Sequence, residues 1–181
     1  MIDWYGQRVD GEEMERRSGN RASRNAYRMK DVNRVHRPIP ELFRGYLGAK
    51  LTVSVRNFGG VFAWLRDCRY VRDQERYGRS DLWLHPEDFE KLREGDCEDH
   101  ALWAWVQLVR LGTSARFTVG KWNGGHAWVT LFEEAGLRIF ETTQKNPAYE
   151  PRPWDGNPEY IPTWSIDAEG EFFWHDPDPV Y

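Results

Sequence analysis

The run Gly95-Asp96-Cys97-Glu98-Asp99 puts a cysteine in what should be the first turn of a helix. Unpaired N–H groups and the helix dipole favour negative charge there, so they should lower the thiol pKa and favour the thiolate, the form that attacks. The plainer reading makes Cys97 a small buried apolar side chain. Further on, Gly124-Gly125-His126-Ala127-Trp128 opens a strand with a histidine directly after two glycines. A base there can reach a helix start across a sheet; a hydrogen-bonded structural histidine is the alternative. Glu141 is the third residue. If Phe132 pairs with Leu137 in a hairpin, His126 and Glu141 become diagonal neighbours on one face, within side-chain reach. A carboxylate there can hold the imidazole's tautomer and stabilise its cation, whereas an exposed strand-end glutamate does neither. A helix-start Cys, a strand His and a next-strand acid are the parts of thiol-based acyl transfer.

Other side chains read more plainly. Cys97, His100 and His126 could hold zinc, but no fourth ligand is evident. Asp96 suits an N-cap, and Glu98 and Asp99 suit the positive end of the dipole. Cys68, in Asp67-Cys68-Arg69-Tyr70, reads as an inert helical thiol. The chain has ten Trp, more than its size leads one to expect, and Trp serves both cores and binding grooves. Trp103 and Trp105 read as core, and Trp83, Trp122 and Trp128 as groove wall.

The elements that must position these residues follow from periodicity. Leu42, Phe43, Tyr46 and Leu47, then Phe58, Phe62 and Leu65, predict a mainly helical stretch over 41–72. His85-Pro86-Glu87-Asp88 opens a short helix that Gly95 is placed to close. A second helix starts at Asp96 and ends at Gly112. Its wide apolar face, from Ala101 to Leu111, marks it as the central buried helix. Strands are expected at 116–119, 126–132 and 137–143, the last two joined by the loop Glu133-Glu134-Ala135-Gly136. Thr163–Ile166 and Phe172–Trp174 suggest a closing hairpin around Ala168-Glu169-Gly170.

A length of 181 residues fits one compact domain with extensions. The divisions expected are a basic polar arm at 1–40, a core at 41–143, and a Pro- and Trp-rich extension at 144–181 packed on the same domain. Two cysteines exclude a disulfide-stapled scaffold, and no apolar run is long enough to span a membrane. The first residues have no apolar h-region, so the expectation is a cytoplasmic protein with no membrane partner. A net charge of −4 weighs against a nucleic-acid partner. The arm is the exception: residues 1–37 carry nine Lys/Arg against six Asp/Glu, which leaves nucleic-acid binding by the arm as a minor reading.

Three blocks, GDCEDHALW at 95–103, GGHAWV at 124–129 and FETT at 140–143, resemble the bacterial transglutaminase-like cysteine proteinases of the wider papain-like superfamily. The lead-in segments 69–73 and 81–88 also look like that family, so the resemblance spans roughly 50–143. It implies an α+β fold of papain-like, transglutaminase-like type, with a central helix carrying Cys97 packed on an antiparallel sheet carrying His126 and Glu141. It implies a Cys97–His126–Glu141 triad, although the family more often has aspartate as third member. It further implies an oxyanion hole made by the Cys97 N–H and an upstream side chain, with Asn57 and Trp64 as candidates. Some relatives bind calcium through acids beside the nucleophile, which Asp96, Glu98 and Asp99 could match; no other cofactor is implied. The expected function is thiol-dependent hydrolysis of a protein or peptide substrate. Amine acyl transfer (transglutaminase chemistry) on the same triad, and a non-catalytic peptide-binding module, are the alternatives.

Overall fold

The computed structural model describes residues 27–28, 40–78, 81–134, 136–146, 152–153 and 159–175. Most of the basic arm and parts of the C-terminal extension lie outside the described residues. Along the chain, β1 (Tyr27–Arg28) precedes α1 (Pro40–Leu47) and α2 (Phe58–Arg66). Then β2 (Arg69–Tyr70), α3 (Asp73–Tyr77), β3 (Leu82–Trp83), α4 (Pro86–Leu92) and β4 (Glu94–Gly95) lead into α5 (Cys97–Arg110). The remaining strands are β5 (Ala115–Lys121), β6 (Gly125–Glu133), β7 (Gly136–Phe140), β8 (Arg152–Pro153), β9 (Ile161–Ile166) and β10 (Phe172–Trp174). They form one sheet of six strands in the order β10-β9-β5-β6-β7-β8. Every neighbouring pair in it is antiparallel.

α5 is buried almost all round. Ala101, Leu102, Trp103, Ala104, Trp105 and Val106 are all 0% exposed. A helix apolar on every side must be covered on every side. The sheet covers one side through β5 and β6, and α4 and α2 cover others. Polar ends of the two tryptophans find acceptors: Trp105 donates to Ala115 O at 3.2 Å and Trp103 to Glu90 Oε2 at 3.0 Å. β6 alternates accordingly. Ala127, Val129 and Leu131 lie in the main core with α5, while Trp128 joins Ile139 and Tyr160 in a second, smaller cluster.

The helical stretch expected over 41–72 is two helices separated by an extended segment. Glu90 fixes that segment. Its Oε1 accepts from Thr52 N at 2.6 Å, Thr52 Oγ1 at 2.7 Å and Val53 N at 3.1 Å. Burial opposes the charge on Glu90, but bonds from Trp103, Thr52 and Val53 hold its carboxyl below the usual range. A folded-state pKa below the unfolded one gives stability that is present above about pH 4.5 and is lost as pH falls through the folded value. Glu90→Gln should therefore lower stability by about 1–3 kcal/mol at neutral pH, since an amide cannot accept at both ends. The difference from wild type in urea unfolding should shrink on acidification; a constant difference would contradict it.

Several boundaries differ from the sequence expectation. α4 closes at Arg93, which takes a left-handed φ of 55°, and not at Gly95. Gly95 instead pairs with Tyr70 in the parallel β2–β4 contact, and a Cβ on it would run into the Asp99 side chain. The β6–β7 register does pair Phe132 with Leu137, and it continues one pair further, to Glu133 and Gly136. The connection is thus tighter than a four-residue loop. β7 ends at Phe140, because Gln144 N–H bonds to Glu141 O at 3.3 Å and turns the chain out of the ladder. Glu141, Thr142 and Thr143 therefore lie just past the strand. The closing hairpin forms as β9 and β10, and β9 also pairs with β5.

Candidate active site

Cys97 is the first residue of α5, and Asp96 is its N-cap. Asp99 Oδ2 accepts from Asp96 N–H at 3.3 Å, the return arm of a capping box. Asp99 Oδ1 accepts from Leu84 N at 2.7 Å, which ties the helix start to the segment after β3. Ala127 N–H bonds to the Cys97 sulfur, so the helix start abuts the beginning of β6. Cys97 and His126 line the same cavity of ≈ 580 Å³, which opens between β2, α3 and the β5–β6 turn.

His126 Nε2 lies 2.7 Å from Glu141 Oε2. An ionised carboxylate only accepts, so Nε2 carries the proton and Nδ1 is the acceptor nitrogen of the neutral ring. Both side chains are almost covered, at 7% and 8% exposure. Oε1 of Glu141 accepts from Thr143 N at 3.0 Å and Thr143 Oγ1 at 2.7 Å. Burial would raise the Glu141 carboxyl, but the hydrogen bond and charge of His126, with the Thr143 bonds, hold it below the usual range. Glu141 is anionic at neutral pH as a result.

The lowered thiol pKa expected from the helix end is not what the fold produces. Cys97 is partly exposed as a residue. Even so, burial, then the charge of Asp96, push its thiol up to about 12. A helix dipole supplies a fraction of a charge, which does not offset the loss of water around the sulfur and the charge of the adjacent Asp96. Its S–H donates to Glu98 Oε2 at 3.3 Å, so the resting state is a neutral thiol. Cys68 is buried outside this cavity, donates to Trp64 O at 3.5 Å, and is pushed up to about 11 by burial.

Acidic groups surround Cys97. Asp96, Cys97 and Glu98 present ligand atoms within 4.8 Å of one another, and so do Asp73, Asp96 and Asp99. Burial and the charge of Asp96 raise Glu98 and Asp99 well above the carboxylate range, and bring Asp73 to about 8. Asp96 Oδ1 and Glu98 Oε1 are buried with no hydrogen-bond partner. Clustered hard oxygens with unused lone pairs fit a calcium ion. The zinc reading does not fit. His100 donates from Nδ1 to Asp96 O at 2.7 Å, is fully buried, and belongs to neither cation cluster.

Of the proposed groove tryptophans only Trp122 lines the cavity. Trp128 is fully buried behind His126, with ring centroids 6.2 Å apart. Trp83 sits in the main core beside Phe117 and Trp164, drawn there by apolar burial. Neither oxyanion candidate reaches the cavity. Asn57 uses its Oδ1 to cap α2 through Gly60 N at 2.9 Å, and Trp64 stacks on Trp103 at 3.8 Å. Two residues at the site escaped the sequence reading. Asp73 ends the lead-in segment 69–73 with nothing nearby to mark it, and Tyr160 sits in the proline-rich extension, where no local pattern marks it.

No family model and no curated protein matches the sequence. Solved structures do match. Calcium-bound LapG of Legionella pneumophila aligns with a TM-score of 0.54 and 22% identity over 66% of this chain and 67% of that one. EGTA-treated LapG aligns at 0.53 and 22% over 64% of each chain, and a third LapG structure at 0.53 and 22% over 67% and 68%. The fold is the papain-like, transglutaminase-like one. In this transglutaminase-like fold the chain spans about two thirds of LapG's length. Among the described residues, no helix is long and apolar enough to cross a membrane.

Proposed function

We propose that this protein is a thiol-dependent amide or peptide hydrolase, with Cys97 as nucleophile, His126 as base and acid, and Glu141 as orienting acid. The observation that carries the reading is the buried 2.7 Å His126–Glu141 pair, with His126 on the strand that abuts the Cys97 helix start and on the same cavity as Cys97. The Cys97 thiol passes its proton to His126 Nδ1 as sulfur attacks the substrate carbonyl carbon. Glu141 stabilises the imidazolium so formed. His126 then gives that proton to the leaving amine, and the C–N bond breaks to leave a thioester. Water, deprotonated by His126, attacks the thioester, and the acid leaves as the thiol is restored. The Cys97 N–H at the helix start supports the oxyanion.

Because both thiols are pushed up by burial, resting acidity gives Cys97 no advantage over Cys68. The difference is the proton acceptor. Iodoacetamide near neutral pH, followed by peptide mapping, should label Cys97 first, and His126→Ala should remove the preference. Equal labelling of the two cysteines would count against the triad.

Asp73, Asp96, Glu98 and Asp99 are the residues that would hold calcium, and LapG has been seen both calcium-bound and EGTA-treated. Bound calcium would offset the repulsion among these carboxylates and favour negative charge at the neighbouring sulfur. Calcium at ~100-fold over its Kd should raise Tm by about 5–10 °C, and Glu98→Gln should shrink that rise. A Tm that ignores both calcium and EGTA would remove the cation from the reading.

A further inference from the structure

Resting on the triad assignment above, we infer that Tyr160 is a positioning residue: its phenol fixes Glu141 against His126. The Tyr160 O–H donates to Glu141 Oε2 at 3.0 Å, the same oxygen that lies 2.7 Å from His126 Nε2. Tyr160 is only 4% exposed. Its ring stacks on Trp122, with centroids 5.4 Å apart and planes at 8°, and meets Trp128 edge-on at 5.3 Å. The three rings wall the His126–Glu141 bond off from water.

The backbone explains why this tyrosine is in place. Tyr160 immediately precedes β9, and Ile161 pairs with Lys121 at the end of β5. Gly120 permits that approach, since a Cβ there would strike Ile161 O and the Trp128 ring. The β5–β6 turn then carries Trp122 and leads to His126. One strand pairing therefore sets the phenol and the imidazole relative to each other.

The chemistry explains why it is needed. Glutamate has one more side-chain torsion than aspartate, and Glu141 stands past the end of the β6–β7 ladder. Thr143 holds Oε1. Tyr160 holds the other oxygen, the one that must face Nε2. Without the phenol, Oε2 would lose one of its two donors, and the carboxylate would be freer to turn from the imidazole.

The test uses the intact chain and needs no substrate. The second-order rate of Cys97 alkylation by iodoacetamide is measured for wild type, Tyr160→Phe, Glu141→Gln and the double variant. Tyr160→Phe keeps the ring contacts and loses only the O–H. It should slow alkylation by about 3- to 30-fold with Tm little changed. In the Glu141→Gln background the same change should have less than about a twofold effect, because its route of action is gone. Slowing that is equal in both backgrounds would assign Tyr160 a merely structural role and overturn the inference, as would a wild-type rate for Tyr160→Phe. Should Tyr160→Phe fail to fold, Tyr160→Leu replaces it with the same two outcomes. Failure of the triad is separate: there, His126→Ala would alkylate at the wild-type rate too.

Discussion

Cys97→Ala and His126→Ala will each lower amide hydrolysis by about 10³- to 10⁶-fold, and the double variant will be little slower than either. Nucleophile and base act as a unit: a thiol held near 12 delivers almost no thiolate unless an imidazole takes its proton in the same event. With His126 gone, the sulfur keeps its bond to Glu98, but that carboxyl is itself raised by burial and is no substitute base. With Cys97 gone, His126 has nothing to activate but water. Neither change should unfold the domain. The Cys97 side chain is small, and the Glu141 carboxylate keeps Thr143 and Tyr160 when His126 is removed. Hydrolysis of a peptide library, read alongside thermal unfolding, makes the measurement. Turnover that survives Cys97→Ala would end its role as nucleophile.

Glu141→Gln should keep the fold and cut kcat/KM by something on the order of 10- to 10⁴-fold. An amide oxygen can still accept from Nε2–H, but it cannot stabilise the imidazolium. It also brings a conflict. Thr143 donates to one end of the side chain, and His126 and Tyr160 donate to the other, so the new NH2 faces donors whichever way it turns. Glu141→Asp is the companion variant. It keeps the charge and shortens the reach by about 1.5 Å, one carbon–carbon bond. The aspartate should be impaired but active, since one contact with His126 can re-form at the expense of Thr143 and Tyr160. A Glu141→Gln enzyme within twofold of wild type would reduce the triad to a Cys97–His126 dyad.

What the sequence made legible was local. The apolar run from Ala101 to Leu108 could only belong to a buried helix, and α5 is that helix. A hairpin that pairs Phe132 with Leu137 is the expected register, and it is the one that forms. From that register alone Glu141 fell diagonal to His126, where the two side chains now meet at 2.7 Å. Other features depended on partners distant in sequence. Arg93 takes a left-handed turn because β2 and β4 must pair directly after it, a demand that no pattern around residue 93 announces. Asn57 and Trp64 had suitable chemistry, but a helix cap and the Trp103 ring claimed them. The acidity of Cys97 was misjudged for a related reason. The dipole argument counts the backbone alone, whereas burial of the sulfur by the fold, and after it the charge of the adjacent Asp96, set the result.

The pairing of β5 with β9 also bears on when the site comes into being. Phe117 lies against Ile166, so a strand made early must wait for one made much later, while β6 and β7 are formed from neighbouring stretches of chain. Contacts between distant segments form slowly, and domains take shape as they emerge during synthesis. A growing chain that has reached Thr143 already contains Cys97, His126 and Glu141, yet it has no β9, no phenol beside the carboxylate, and an open edge on β5. The order of synthesis thus leaves Cys97, His126 and Glu141 without Tyr160, and the β5 edge unpaired with β9, until the C-terminal strands dock.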